Sequence, residues 1–202
     1  MTRVIAGAAR GRRLQVPPGD GTRPTSDRAR EALFGTLESL LGAWAGRRVL
    51  DLYAGSGAVG LEALSRGAAH ALLVEADARA ARTLAANVAT LGLAGAEVRR
   101  GRVERVAAHG LPGPTYDVVF ADPPYDLTDD ELRTVLADLR PAVADAAVVV
   151  VERATRGGAW TWPVGYEEVR SRRYGEATLW YGRATQPARR PASAPAVEEG
   201  TA

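Results

Sequence analysis

The chain contains no cysteine and no lysine. Without Cys there is no disulfide framework, no thiolate-ligated zinc or iron–sulfur cluster, and no thiolate nucleophile. Without Lys there is no Schiff-base enzyme and no Walker-A lysine to grip a phosphate. His70 and His109 are the only histidines, too few for a three-His zinc site, and no metal is expected. Long apolar runs are missing too. The most apolar stretch, 142–151, is interrupted by Asp145, and no signal-peptide core precedes Arg10. A protein with no membrane segment, soluble and cytoplasmic, is expected. What remains is chemistry run by carboxylates, hydroxyls, arginine, backbone groups and a bound cofactor.

Arginine is what the chain has in quantity: all 26 basic residues are Arg, against 24 acids, for a net charge of +2. That small net hides an uneven distribution. Residues 1–30 carry seven Arg against Asp20 and Asp27, while 31–182 carry sixteen against twenty acids. A basic N-terminal extension on a mildly acidic body points to a polyanion partner. With 202 residues, 46% of them hydrophobic, the chain suits one domain. The expected division is a basic extension over 1–25, a catalytic domain over 26–183, and a Pro/Ala-rich, disordered tail over 184–202.

Within the extension, 3–7 and 12–16 read as two short strands of a hairpin joined by 8–11. Ser26 or Asp27 can cap a helix to about Leu41, with Ala29, Leu33, Leu37, Leu40 and Leu41 at helical spacing. From Arg48 onward, apolar strands alternate with helices. The strands fall at 49–53, 71–75, around Val98, at 116–121 and at 146–151; the helices fall at 58–65, 78–91 and 129–139. Such a pattern predicts an α/β protein with a mostly parallel sheet covered on both faces. Strands at 167–173 and 177–181, with no helix between them, are expected to close the sheet as an antiparallel hairpin.

Two motifs carry chemistry. Asp51-Leu52-Tyr53-Ala54-Gly55-Ser56-Gly57-Ala58-Val59-Gly60 places G-x-G-x-x-G at a strand-to-helix turn, and Glu75 ends the next strand. Glycines there admit a ligand close to the backbone, and the acid can accept hydrogen bonds from ribose hydroxyls. A dinucleotide would set its pyrophosphate on the helix N-terminus. S-adenosylmethionine has no phosphate, and Asp51 suits its ammonium group. The second motif, Asp122-Pro123-Pro124-Tyr125, stands at the C-terminal end of the fourth strand, the edge where open parallel sheets bind ligands. Two prolines remove two N–H donors. Asp122 and the Pro123 carbonyl can then hold both hydrogens of an exocyclic amine, while Tyr125 offers a face for a base, worth about 1–3 kcal/mol.

Together with Arg3-Val4-Ile5-Ala6-Gly7, Gly11-Arg12-Arg13-Leu14, the block Arg23 to Phe34 and Gly60 to Ala68, these motifs give the chain a resemblance. It resembles the class I S-adenosylmethionine-dependent methyltransferases, and more closely the RsmD-type bacterial 16S rRNA guanine-N2 methyltransferases. The resemblance implies a Rossmann-like fold and methylation of one guanine N2 amine, at position 966 in the usual 16S numbering, with 16S rRNA or the assembling small subunit as partner. Asp122, Pro123 and Tyr125 become the candidate catalytic residues. Asp51, Tyr53, Gly55, Ser56, Gly57, Glu75, Gly101 and Arg102 become candidates for holding S-adenosyl-L-methionine. Gly101 stands about where many relatives carry an Asp or Asn toward the adenine. Arg10, Arg12, Arg13, Arg23, Arg28 and Arg30 are the candidate RNA contacts. A monomer is expected. The competing functions are a DNA adenine-N6 or protein glutamine-N5 methyltransferase and a non-catalytic ribosome-assembly factor.

Overall fold

A computed structural model describes residues 2–17 and 27–186. Two short strands, β1 (Thr2–Arg3) and β2 (Arg13–Leu14), precede α1 (Asp27–Leu41). Then come β3 (Arg48–Leu52), α2 (Ala58–Ser65), β4 (His70–Glu75), α3 (Ala78–Leu91) and β5 (Ala96–Arg100). The second half adds α4 (Val103–His109), β6 (Tyr116–Ala121), α5 (Asp129–Leu139), β7 (Val143–Ala154), β8 (Tyr166–Tyr174) and β9 (Ala177–Ala184). Seven of the strands form one sheet in the order β5-β4-β3-β6-β7-β9-β8. The first five are parallel, and β9 and β8 add antiparallel to β7.

Successive residues of the central strands feed two separate cores. Val49, Leu73, Val118, Phe120, Val148 and Val150 pack with α1, α2 and α3 on one face. Leu50, Leu52, Leu72, Val119, Ala121 and Val149 pack with α4 and α5 on the other. Burial of both faces is why these strands read as continuous apolar runs. Local signals set the helix ends. Asp77 accepts the Arg79 and Ala80 amides at the start of α3, which closes at Gly92 with φ 63°. Thr128 and Glu131 form a reciprocal capping box at the start of α5.

The sequence expectation is modified at four places. First, the N-terminal strands are only two residues long. Val4 still bonds to Arg12 and Gly11 across the hairpin, but Ile5 and Ala6 donate their amides to the Glu62 carboxylate, and Ala8 donates to the Ser65 carbonyl. Val4, Ala9 and Leu14 join the core, so the hairpin is docked rather than free. Second, α4 has no counterpart among the expected helices; it is seven residues long, with Val103 and Ala107 buried. Third, β7 begins at Val143 because Asp145 bulges outward, where it pairs with Arg140 at 2.7 Å. Fourth, the chain stays attached beyond residue 183: Arg140 donates to the Thr185 carbonyl, and Gln186 donates to Asp145. The tail expected over 184–202 is described only as far as Gln186; its remainder, and the stretch holding Arg23, lie outside the described residues. Among the described residues no helix is long and apolar enough to cross a membrane.

Candidate active site

β3 is flanked by β4 on one side and β6 on the other, and the chain runs outward from it in both directions. That reversal opens a crevice at the C-terminal ends of the strands. A cavity of about 430 Å³ lies there, walled by Asp51, Tyr53 to Ser56, Glu75, Phe120, Asp122 to Tyr125 and Glu152. The parallel register pairs Leu52 with Ala121, which brings the turn after β3 beside Asp122. The glycine motif and the Asp-Pro-Pro-Tyr motif, about seventy residues apart in sequence, therefore share one cleft.

The turn after β3 is held by specific contacts. Gly57 has φ 80°, and a Cβ there would stand 2.3 Å from Leu84 Cδ1. Gly60 lies close against Leu73, and its N–H donates to Asp51 Oδ2 at 2.8 Å. Gly55 donates to Glu75 Oε2 at 2.8 Å, and Asp77 donates to Glu75 Oε1. The glycines of the turn therefore serve packing as well as access. Tyr53 has φ 58° and donates its hydroxyl to Glu104 at 3.2 Å. Burial and the neighbouring Glu104 push that hydroxyl well above the ordinary phenol range, so it remains a donor.

Charge is the cleft's distinguishing property. Asp51, Glu75, Asp77, Asp122 and Glu152 all line it, with Arg30 as the cation among the described lining residues. Burial pushes Asp51 up to about 7, in spite of the Gly60 amide that favours its charged form. Asp122 is raised well above the carboxylate range, first by burial, then by Glu152 and Asp51. Among the described residues its carboxylate takes no hydrogen bond. Tyr125, at the rim, is 79% exposed.

Not every candidate reaches this cleft. Gly101 donates to the Glu75 carbonyl, and Arg102 pairs with Glu104 at 3.3 Å; neither lines the cavity. Arg30, expected on RNA, is fully buried. Its guanidinium donates to the Arg3 carbonyl and to Asp27 at 3.0 Å, and it borders the cleft. A helix that turns one face to the core and one end to the cleft buried this Arg, and charge alone gave no sign of it. Arg10, Arg13 and Arg28 are exposed, whereas Arg12 donates to the Thr90 and Leu91 carbonyls at the end of α3. Neither histidine lines the cleft. Lining residues that the motifs did not flag include Val16, Pro17, Ala76 and Asp77. Val16 and Pro17 follow the docked hairpin, which tertiary contacts with α2 and α3 place at the cleft, Gln15 exchanging hydrogen bonds with Asn87.

Comparison with known proteins agrees with this geometry. Residues 2–183 match the family model described as conserved hypothetical protein 95. The chain is 39% identical over 165 residues to the ribosomal RNA small subunit methyltransferase D of Escherichia coli strain K12, covering 81% of this chain and 80% of that one. Among solved structures, the Escherichia coli protein yhhF superposes with a TM-score of 0.78 at 34% identity, covering 91% of this chain and 98% of its own. A hypothetical protein of Thermus thermophilus does so with a TM-score of 0.72 at 35% identity, covering 90% and 98%.

Proposed function

The chain belongs to the RsmD family, that of the model described as conserved hypothetical protein 95, and on that premise we propose that it methylates the exocyclic N2 amine of one guanine in 16S rRNA, using S-adenosyl-L-methionine. The observation that carries the reading is an acidic cleft with an Asp-Pro-Pro-Tyr run at its rim. A pyrophosphate would meet five carboxylates there, whereas a donor bearing a sulfonium and an ammonium is attracted to them. The residues present therefore fit the methyl donor. Asp51 would face its ammonium group and Glu75 its ribose, with the Gly55–Gly57 turn admitting it. When bound, the donor supplies an electrophilic methyl group.

The chain's own residues prepare the amine. A nucleobase amine is a poor nucleophile because its lone pair is delocalised into the ring. Asp122, whose carboxylate has no competing hydrogen bond among the described residues, accepts one amine hydrogen, and the Pro123 carbonyl accepts the other. Both contacts strengthen as positive charge develops on nitrogen; a charged hydrogen bond of this kind is worth about 1.5–3 kcal/mol. Holding the two reactants in line contributes up to roughly 7–11 kcal/mol and is the larger effect. Tyr125 stacks on the target base after it leaves its helix or loop.

One assay tests the function. Labelled S-adenosylmethionine is offered with free rRNA, small subunits, DNA and protein, and the products are resolved as nucleosides or amino acids. N2-methylguanosine from rRNA or subunits supports the reading, while label in adenine or glutamine, or none at all, overturns it. Asp122→Ala should nearly abolish transfer and leave donor affinity unchanged; equal turnover would remove Asp122 from its role.

A further inference from the structure

A second cavity, of about 370 Å³, opens beside the first, and Tyr125 borders both. Its volume is within the range of small-molecule sites, roughly 300–1,000 Å³. The walls come from the end of β7 and the segment after it: Arg153, Gly157, Gly158 and Trp160, with Asp129 from the start of α5. A Cβ at Gly157 or Gly158 would meet nothing within 4 Å, so backbone is bare on that side. Trp160 gives the cavity an aromatic wall.

We propose that this cavity takes the nucleobase next to the target in the RNA strand, with Tyr125 as the partition between the two bases. The inference rests on the proposed RNA methylation. Extruding one base leaves its neighbour with an uncovered face, and Tyr125 is 79% exposed at the boundary of both cavities. Electrostatics select the base over the phosphate. Arg153 is already neutralised by Asp129 at 2.7 Å, and it also donates to the Leu127 carbonyl. The walls thus present a paired charge, an aromatic ring and bare backbone, which suit an uncharged, flat heterocycle. This pocket differs in kind from the acidic cleft across Tyr125.

Gly157 permits a clean test, because its φ is not left-handed and its side-chain space is open. Gly157→Leu should fill the cavity without strain. The probe is a fluorescent RNA stem-loop with an unpaired guanine in the loop, intact or abasic at the residue before or after that guanine. Equilibrium RNA binding is the readout, so the result holds even if no methyl group moves and the catalytic reading fails. For the parent protein, removing the base on one side should weaken binding about tenfold or more, and removing the base on the other side should weaken it little. Gly157→Leu should weaken the intact RNA by a similar factor and the sensitive abasic RNA no further. Donor affinity should not change in this variant. Additive losses from Gly157→Leu and the abasic site, or an unchanged affinity in Gly157→Leu, would overturn the proposal.

Discussion

Asp51 shows how the proposed function would oppose stability. Its carboxyl is 2% exposed, and burial moves its pKa from 3.8 to about 7. Between those values the folded protein binds the proton more readily than the unfolded chain does. Stability from this group is therefore fully present below about pH 4 and is lost as pH rises through about 7. Asp51→Asn removes the charge and retains an acceptor for the Gly60 amide. The variant should be more stable than the parent at pH 8, by about 2–4 kcal/mol, with the advantage vanishing near pH 4. Urea unfolding at the two pH values checks this, and identical curves at both would defeat it. The same variant should bind the donor more weakly, because the charge that destabilises the empty cleft is the one that attracts a cation. Arg30 repeats the pattern: fully buried, with Nε and Nη1 unpaired among the described residues, it is an expensive residue in the wall of the same cleft.

At the scale of elements, the N-terminal hairpin depends on α2. Its own ladder joins Thr2 to Leu14 and Arg3 to Arg13, with Val4 bonded to Arg12 and Gly11 beyond them, too little to stand alone. Glu62 holds it, fully buried, accepting from Ile5 at 2.7 Å, Ala6 at 3.0 Å and Arg66 at 2.8 Å. Gly7 makes the contact possible: with φ 79°, it would put a Cβ 1.8 Å from the Ser65 carbonyl oxygen. Gly7→Val should therefore lift the 5–9 segment off α2, while Arg12 and Gln15 stay anchored on α3. Hydrogen exchange should show the Ile5 and Ala6 amides losing protection while Val119 and Val149 in the sheet keep theirs. Persistent protection at Ile5 and Ala6 would contradict the clamp. The sequence announced the central elements because their signals are local: apolar runs, caps such as Asp77 and Thr128, and the turn at Gly55–Gly57. It was silent on α4, a seven-residue helix among arginines, and on the docking of 5–9, since nothing near Ile5 names Glu62 as its partner. Within the site, Asp122, Tyr125, Asp51 and Glu75 were legible because their motifs are contiguous. Arg30 was read from its charge, and its burial came from a helix orientation that the sequence did not display.

For the whole molecule, the opposing charges of its two surfaces matter most. Under the proposed function the acidic cleft would attract a cationic donor, while exposed arginines on the hairpin, Arg10 and Arg13 among them, would face the polyanion. These two binding events should respond differently to salt. RNA affinity should fall steeply with ionic strength through counterion release, and replacing both Arg10 and Arg13 with Ala should flatten the logarithmic slope by about 1.4–1.8. Titration of labelled RNA across salt concentrations gives that slope directly. An unchanged slope would take the hairpin out of the RNA contact. The clamp on Glu62 also has a consequence for how the chain is made. The arginines of 3–13 are synthesised first, but their anchor ends at residue 65, and β3 waits for its second neighbour at 116–121. Throughout the early growth of the nascent chain, the N-terminal segment is an unfolded polycation without a catalytic cleft. Under the proposed function, the segment that would attract nucleic acid is made before the cleft that would act on it.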